Sequence, residues 1–419
     1  MNKYKRIAFI MLFLMLFNIL SQTVVYGILP DFAVVNSENI ESEKNTYKTE
    51  ESSVHTAAAP TFTFKSEAQI LMEATTGEII YANNENSRLL PASVTKVMTL
   101  LLLMEKIDSG QLRYEDTVTC STQASKMGGS QIWFKEGESL TIDEALKCIC
   151  VVSANDVSYA VAELVGGSHE NFVQMMNNKA KELGMENTQF MNAHGIDEEG
   201  HYTSAKDIAI MSKELITKHP NIQKYTTIWM DTIRGGTFGL SNTNKLLKTY
   251  NGITGLKTGS TSAAGFNLSA TATRDGLSLI AVVLKAPSSA IRNEEVTSLL
   301  NYGFSSYTSK KLNDKGEKLE EISINKNVDQ KVDIIFEEEK YLITKKGENT
   351  ECAKNVIYND KIVAPIKAGD VIGKVEYLNS ESKKIGEVNL IASKDVPKTS
   401  LWNYIRYVTN VYLLKGINM

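Results

Sequence analysis

The sequence predicts an α+β protein in which an antiparallel sheet covered by helices precedes a small β-rich domain and a C-terminal amphipathic helix. Three observations support this architecture. Amphipathic helical patterns lie within residues 141–216, strand patterns fill residues 252–284, and short strand patterns separated by polar turns follow within residues 331–391. At 419 residues, with 42% hydrophobic and 22% charged residues, the chain can build two ordinary domains.

The N-terminus has the pattern of an export signal. Lys3, Lys5 and Arg6 precede an apolar run over residues 7–20, and small or tolerated residues suited to cleavage follow. We therefore expect residues 1–27 to be a signal peptide. Residues 28–60 are rich in Asn, Glu, Ser, Lys and Thr and carry few apolar side chains, which predicts a flexible spacer.

A first domain is expected over residues 61–308. It should begin with a hairpin whose strands flank a turn at residues 74–77. Thr141 and Glu144 form a capping box, and further helices should begin at Ser168 and Ser204.

The sheet of this domain is expected to continue near its end. Residues 252–259 and 265–272 read as strands, and a tight turn leads into the almost wholly apolar residues 277–284. A helix over about residues 289–307 should close the domain.

Residues 309–395 predict a small β-sandwich-like domain with no visible chemistry. The candidate strands are residues 331–336, 341–344, 361–366, 370–377 and 386–391. Residues 396–419 then place apolar and aromatic side chains at helical spacing opposite polar ones. This predicts an amphipathic helix at a membrane surface, the alternative being a helix docked on the β domain.

The composition argues against several function classes. A net charge of −4 gives no support for nucleic-acid binding. Four cysteines do not make a disulfide framework in so long an exported chain, so we expect small buried apolar residues or at most one incidental bridge. No cysteine pair has metal-binding spacing and the five histidines are scattered, so no metal site is expected.

Ser93 and Lys96 lie three positions apart at the start of a strong helical pattern, directly after Pro91 and Ala92. Residues at this spacing share one side of a helical turn, which suits a serine nucleophile and a neutral lysine base. The same spacing occurs at Ser380 and Lys383 in a polar turn with no helix after it. Spacing alone is therefore a weak signal, and an ordinary helix start is the competing interpretation.

Two further motifs follow in a fixed order. Ser153 and Asn155 form Ser-x-Asn at the end of the capped helix, and Lys257, Thr258 and Gly259 form Lys-Thr-Gly on a strand. The three motifs together resemble the penicillin-binding proteins and serine β-lactamases. The stretches 90–93, 152–156, 193–197, 201–207, 242–247 and 255–259 are similar to the low-molecular-mass D-alanyl-D-alanine carboxypeptidases of peptidase family S11.

The resemblance implies a β-lactamase/transpeptidase-like fold and a role for each matching residue. Ser93 would be the acyl-ester nucleophile, Lys96 its general base, and Ser153 a proton relay to the leaving amine. The implied substrate-binding residues are Asn155, Lys257, Thr258, Gly259, Ser260 and Arg292. The main-chain N–H groups of Ser93 and Ser260 would form the oxyanion hole. For Arg292 a surface salt bridge is nearly as plausible as carboxylate binding.

The implied reaction is removal of the terminal D-alanine from peptidoglycan stem peptides ending in D-Ala-D-Ala, without a cofactor. β-Lactams would be covalent inhibitors, and the enzyme would act at the outer face of the cytoplasmic membrane or in the cell wall. A serine β-lactamase, a non-catalytic penicillin- or peptidoglycan-binding sensor and an endopeptidase remain alternatives. A Ser93–His194–Asp197 triad is disfavoured because a lysine base is already adjacent to Ser93.

Overall fold

The computed structural model describes residues 62–324, 331–348, 350–359, 362–398, 400, 402 and 405. The predicted signal peptide 1–27 and spacer 28–60 lie outside these residues, as does most of the predicted helix 396–419. No helix among the described residues is long and apolar enough to cross a membrane.

Strands of the described residues are numbered in chain order. They are β1 (Ala68–Glu73), β2 (Ile79–Asn83), β3 (Thr117–Thr119), β4 (Ser139–Thr141), β5 (Met230–Ile233), β6 (Phe238–Ser241), β7 (Ile253–Thr261), β8 (Gly265–Arg274), β9 (Leu277–Ala286), β10 (Tyr307–Asn313), β11 (Lys318–Ser323), β12 (Lys331–Phe336), β13 (Lys340–Lys345), β14 (Ala353–Tyr358), β15 (Val371–Leu378) and β16 (Lys384–Ala392).

The α-helices are numbered in the same way. They are α1 (Lys96–Asp108), α2 (Ile142–Lys147), α3 (Asn155–Gly166), α4 (His169–Glu182), α5 (Ala205–Lys218), α6 (Gln223–Thr226), α7 (Leu246–Thr249) and α8 (Ser289–Ser306). The capping box of Thr141 with Glu144 is present, and the hydroxyls of Ser168 and Ser204 accept N–H bonds at the starts of α4 and α5, as predicted.

The central sheet has the order β2-β1-β9-β8-β7 and its paired strands are antiparallel. Ile280, Val282 and Leu284 of β9 face one hydrophobic core, which α1 and α5 share. Leu279, Ala281 and Val283 face a second core together with residues of α8. The continuous apolar run of β9 therefore reflects burial on both faces of the sheet. With helices covering an antiparallel sheet, the predicted α+β fold is confirmed. Strand β7 lies at one end of this sheet.

The β-rich region forms a five-stranded sheet of order β11-β12-β16-β15-β14 and a separate β10–β13 pair. The predicted strand over residues 361–366 is wrong, because the described residues 362–366 form no strand and only Val363 and Ile366 make isolated bridges, that of Ile366 to Val396. Strands β10, β11 and β14 were not predicted. β11 and β14 have no fully buried residue, so their sequences lack the alternating apolar pattern that marks a strand.

Candidate active site

Ser93 lies in a 3-10 turn, Ala92–Thr95, that leads directly into α1. Its side chain is half-buried, whereas Lys96 at the first position of α1 is 0% exposed. The Lys96 Nζ atom lies 3.0 Å from Ser93 Oγ. The sequence spacing therefore places the two groups in contact, and the apolar body of α1 buries the lysine.

Lys96 has two further partners besides Ser93. Its Nζ donates to Asn155 Oδ1 at 2.6 Å and to the main-chain carbonyl of His194 at 2.6 Å. Burial lowers the pKa of Lys96 well below its ordinary value, the charge of Lys257 lowers it further, and Asp156 acts in the opposite direction. A neutral lysine has two N–H groups and one lone pair. Because the two N–H groups are taken by these acceptors, the lone pair is left for the Ser93 hydroxyl proton.

Ser153 and Asn155 approach Lys96 from the second motif. A π-helical turn over Cys148–Val152 ends at Ser153, whose φ of 63° is left-handed. The Ser153 Oγ is buried and has no hydrogen-bond partner among the described residues. Asn155 donates its Nδ2 to the Gly128 carbonyl at 2.7 Å while its Oδ1 accepts from Lys96. The Nδ2 atom carries two N–H groups, so Asn155 can donate the second one to a substrate carbonyl while it keeps its bond to Gly128.

The third motif lies on the end strand β7. Lys257 is 1% exposed, and its Nζ donates to the Thr258 carbonyl at 2.9 Å. Burial is the main reason that the pKa of Lys257 is lowered to about 7. Cys150 raises this pKa, and the charge of Arg292 lowers it. The Thr258 hydroxyl lies 2.6 Å from that of Thr243, a residue to which the sequence assigned no role.

Gly259 is required by the nucleophile turn. A Cβ at this position would come within 2.8 Å of the Ser93 nitrogen and 2.9 Å of the Pro91 carbonyl oxygen. The Ser93 turn therefore packs directly against β7 at this point, and the exposed Ser260 follows.

Arg292 lies on α8 and is 5% exposed. Its Nη1 donates to the Asn267 carbonyl at 3.4 Å, and its Nε donates to Asn293 Oδ1 at 3.1 Å. Burial lowers the pKa of Arg292 to about 10. The alternative of a surface salt bridge is therefore wrong. Asn267, to which Arg292 donates, pairs with Gly259 across β8 and β7, so the guanidinium lies near the third motif.

The two histidines near the site have structural contacts. The His194 ring stacks with His169 at a centroid distance of 5.9 Å, and burial lowers its pKa to about 3. His201 Nδ1 accepts from the Met191 N–H, so Nε2 carries the proton and donates to Thr95 Oγ1 at 2.8 Å. Burial lowers the pKa of His201 to about 4.

A clamp on the nucleophile turn was missed from the sequence. A Cβ on Gly195 would lie 1.9 Å from the Ala92 carbonyl oxygen, so only glycine fits against this turn. One turn into α1, Thr99 Oγ1 donates to the Ala193 carbonyl at 2.6 Å. With the His194 carbonyl on Lys96, residues 193–195 contact the helix start at successive positions. The sequence marked residues 193–197 only as similar to a family motif. A motif does not show which distant segments come into contact, so the contact with the start of α1 was not predicted.

No group of side chains suited to a metal ion occurs in the described part of the chain. All four cysteines are unpaired. Cys120, Cys148 and Cys150 are buried as expected, whereas Cys352 is only half-buried.

Residues 53–288 match the peptidase S11 family model, described as D-alanyl-D-alanine carboxypeptidase. Residues 307–398 match the model of the penicillin-binding protein 5 C-terminal domain.

Named relatives match over most of their length. D-alanyl-D-alanine carboxypeptidase DacF of Bacillus subtilis is 40% identical over 82% of this chain and 88% of its own. DacD of Escherichia coli is 34% identical over 80% and 87%. The structure of penicillin-binding protein 5 from Haemophilus influenzae matches with a TM-score of 0.67 and 29% identity over 81% of this chain and 99% of that one. Penicillin-binding protein D2 of Listeria monocytogenes in its cefotaxime-bound form matches with a TM-score of 0.55 and 29% identity over 58% and 99%.

Proposed function

The chain belongs to the peptidase S11 family of D-alanyl-D-alanine carboxypeptidases, and on this premise we propose that it removes the terminal D-alanine from peptidoglycan pentapeptide stems through an acyl-enzyme on Ser93. One observation carries the assignment of residues. Lys96 is buried, and its two acceptors leave the lone pair facing the Ser93 hydroxyl. This arrangement activates a serine at neutral pH.

The chemical steps follow from these contacts. Lys96 takes the Ser93 proton while the Ser93 oxygen bonds to the carbonyl carbon between the two D-alanines. The C–N bond then breaks, and Ser153 relays a proton from Lys96 to the departing amine of D-alanine. Water hydrolyses the resulting ester, which releases the shortened peptide and restores the Ser93 hydroxyl. No cofactor takes part in these steps.

Substrate binding is assigned to the residues around β7. Three side chains would bind the terminal carboxylate. Lys257 and Arg292 would supply positive charge, and Thr258 would donate its hydroxyl. The N–H groups of Ser93 and Ser260 would form the oxyanion hole. As an end strand, β7 can also pair with an extended peptide through its main chain, with Gly259 and the Asn155 amide along the peptide path.

β-Lactams would act as covalent inhibitors because they present an acyl group to the same serine. The carboxypeptidase family acts on the cell wall, consistent with export. More specifically, we propose that residues 1–27 direct export, that residues 28–60 act as a spacer, and that a helix over residues 396–419 lies on the outer face of the cytoplasmic membrane.

A paired assay tests the proposal. Wild-type protein should form a long-lived adduct with a labelled penicillin and should release D-alanine from a peptide ending in D-Ala-D-Ala. Ser93→Ala should do neither. Penicillin labelling without D-alanine release would support the sensor, and rapid loss of the adduct with hydrolysed antibiotic would support the β-lactamase.

A further inference from the structure

Trp133 holds its large apolar side chain out in solvent. It is 66% exposed, whereas its neighbours Ile132 and Phe134 are 0% and 1% exposed. Its φ of 53° is left-handed, which is costly for a bulky side chain. A strained backbone that exposes an aromatic ring points to a functional reason for the arrangement.

The strained conformation is fixed from both sides. The Oδ2 atom of the buried Asp156 accepts the N–H groups of Ile132 and Phe134, each at 3.0 Å. Arg234 Nη1 donates to the Ile132 carbonyl at 3.0 Å. With both flanking residues anchored in the core, the Trp133 side chain cannot turn inward.

The indole ring is supported at its side. Its centroid lies 6.1 Å from that of Phe238, with an angle of 69° between the two ring planes. The Arg234 guanidinium lies over the Phe238 ring at 5.2 Å. This nearly perpendicular contact does not cover the indole by stacking. The ion pair of Arg234 with Glu138 lies beside the same residue, because Arg234 Nη2 also donates to the Trp133 carbonyl at 3.4 Å. A flat apolar face with polar groups at its border is complementary to a sugar pyranose ring, which presents C–H groups on its face and hydroxyls at its edge.

The segment that carries Trp133 is bonded to the second motif of the candidate site. Asn155, which contacts Lys96, donates its main-chain N–H to the Ser130 carbonyl at 2.7 Å and its side chain to the Gly128 carbonyl at 2.7 Å. Trp133 follows Ser130 by three residues, so their Cα atoms lie within about 11 Å of each other. The main chain on either side of Trp133 is thus bonded to Asp156, the residue after Asn155, which keeps Trp133 close enough to the candidate site to meet a substrate attached to a larger polymer.

We propose that Trp133 is a platform for a pyranose ring of the glycan strand that carries the stem peptide. The enzyme would thereby favour glycan-linked stems over free peptides. This inference rests on the proposed carboxypeptidase function and adds a polymer-binding site to it.

Two substrates test the platform. D-alanine release is measured from a free pentapeptide and from the same pentapeptide linked to its disaccharide, with wild type, Trp133→Gly and Trp133→Phe. Glycine accepts the left-handed backbone, so the Gly variant keeps the loop conformation. We expect kcat/KM of Trp133→Gly to fall about tenfold on the disaccharide substrate and to stay within about twofold on the free peptide. Trp133→Phe should keep most of the preference.

The matched control is Met230→Ala, which removes an apolar side chain of similar exposure, 69%, from the same hairpin that carries Phe238. It should change neither rate. Equal losses of Trp133→Gly on both substrates would overturn the platform, as would no loss on the disaccharide substrate.

A binding measurement separates failure of the platform from failure of the proposed function. Titration with the tetrasaccharide of N-acetylglucosamine should change the tryptophan fluorescence of wild type and of Ser93→Ala, but not that of Trp133→Phe. An inactive wild type that still shows this change would refute the carboxypeptidase assignment and retain the sugar site. No change in wild type would refute the sugar site.

Discussion

Two Ser-x-x-Lys segments of this chain have equal spacing and opposite surroundings. At the catalytic site, Ser93 precedes α1 and Lys96 is wholly buried. In the β-rich region, Ser380 and Lys383 lie exposed in the turn between β15 and β16. Asn379 organises that turn, because its Oδ1 accepts the main-chain N–H of Lys383 at 2.9 Å.

The difference indicates that the surroundings of a lysine, and not the Ser-x-x-Lys spacing, decide whether that lysine is suited to act as a base. Burial lowers the pKa of Lys96, the charge of the nearby Lys257 lowers it further, and the acceptors of its N–H groups are neutral. Lys384, next to the exposed turn, shows the opposite case, because the hydrogen bonds that it donates to Glu387 and Glu376 raise its pKa. A lysine among carboxylates in water stays charged and cannot accept a proton from serine.

Removing each lysine is the strongest test of this comparison. Lys96→Ala should reduce the rate of penicillin acylation by about a thousandfold, because it removes the general base. Lys383→Ala should leave the rate unchanged. Stopped-flow acylation with a labelled penicillin measures both. If Lys96→Ala acylated at the wild-type rate, another group would have to be the base.

The clamp on the nucleophile turn distinguishes the two segments further. Gly195→Ala would push a methyl group into the Ala92 carbonyl and displace Ser93, and a displacement of about 1 Å can cost roughly a hundredfold in rate. Gly386→Ala, near the exposed turn, is the control, because its Cβ would meet only the flexible Lys340 side chain, at 3.1 Å. Acylation rates and melting temperatures of the two variants should separate misplacement from unfolding. A fully active, stable Gly195→Ala would show that the clamp is unnecessary.

The sequence predicted the residues of this site that belong to the three motifs, which follow one another in a fixed order along the chain. Ser93, Ser153 and Lys257 were found because each motif sits in the secondary structure that its chemistry needs. The Gly195 contact and the Asp156 carboxylate beneath Trp133 were not predicted, because both depend on segments that meet only after folding. Strands β11 and β14 were not predicted either. None of their residues is fully buried, so their sequences lack the alternation of apolar and polar residues that indicates a strand.

The pH dependence of kcat/KM tests whether the charge of Arg292, on α8, changes the pKa of Lys257 in the candidate site. If charged Lys257 binds the substrate carboxylate, kcat/KM should fall as pH rises through about 7, the pKa of Lys257, and should also fall at low pH as Lys96 becomes protonated. Arg292 lowers the pKa of Lys257, so Arg292→Gln should move the alkaline limb to higher pH while reducing the maximum. Arg113→Gln, at an exposed arginine, should leave the profile unchanged. An unmoved limb in Arg292→Gln would assign that limb to another group.

The smallest expected effects concern two serines with nearly equal backbone strain. Ser153 has a φ of 63° and Ser382, in the exposed turn, a φ of 60°. Glycine relieves this strain, so Ser382→Gly should stabilise the fold by about 0.5 kcal/mol without affecting acylation. Ser153→Gly also removes a buried hydroxyl with no partner among the described residues, and should stabilise by about 2 kcal/mol.

Activity should separate the two glycine variants, since only Ser153→Gly removes the proposed proton relay. Denaturant unfolding and acylation kinetics measure both properties on the same samples. A destabilised Ser153→Gly would mean that the Ser153 hydroxyl is paired in solution, by water or by Lys96. A stabilised but inactive Ser153→Gly would show that Ser153 lowers the stability of the fold and is needed for activity. Ser382 has a similar backbone strain, but its replacement would leave activity unchanged.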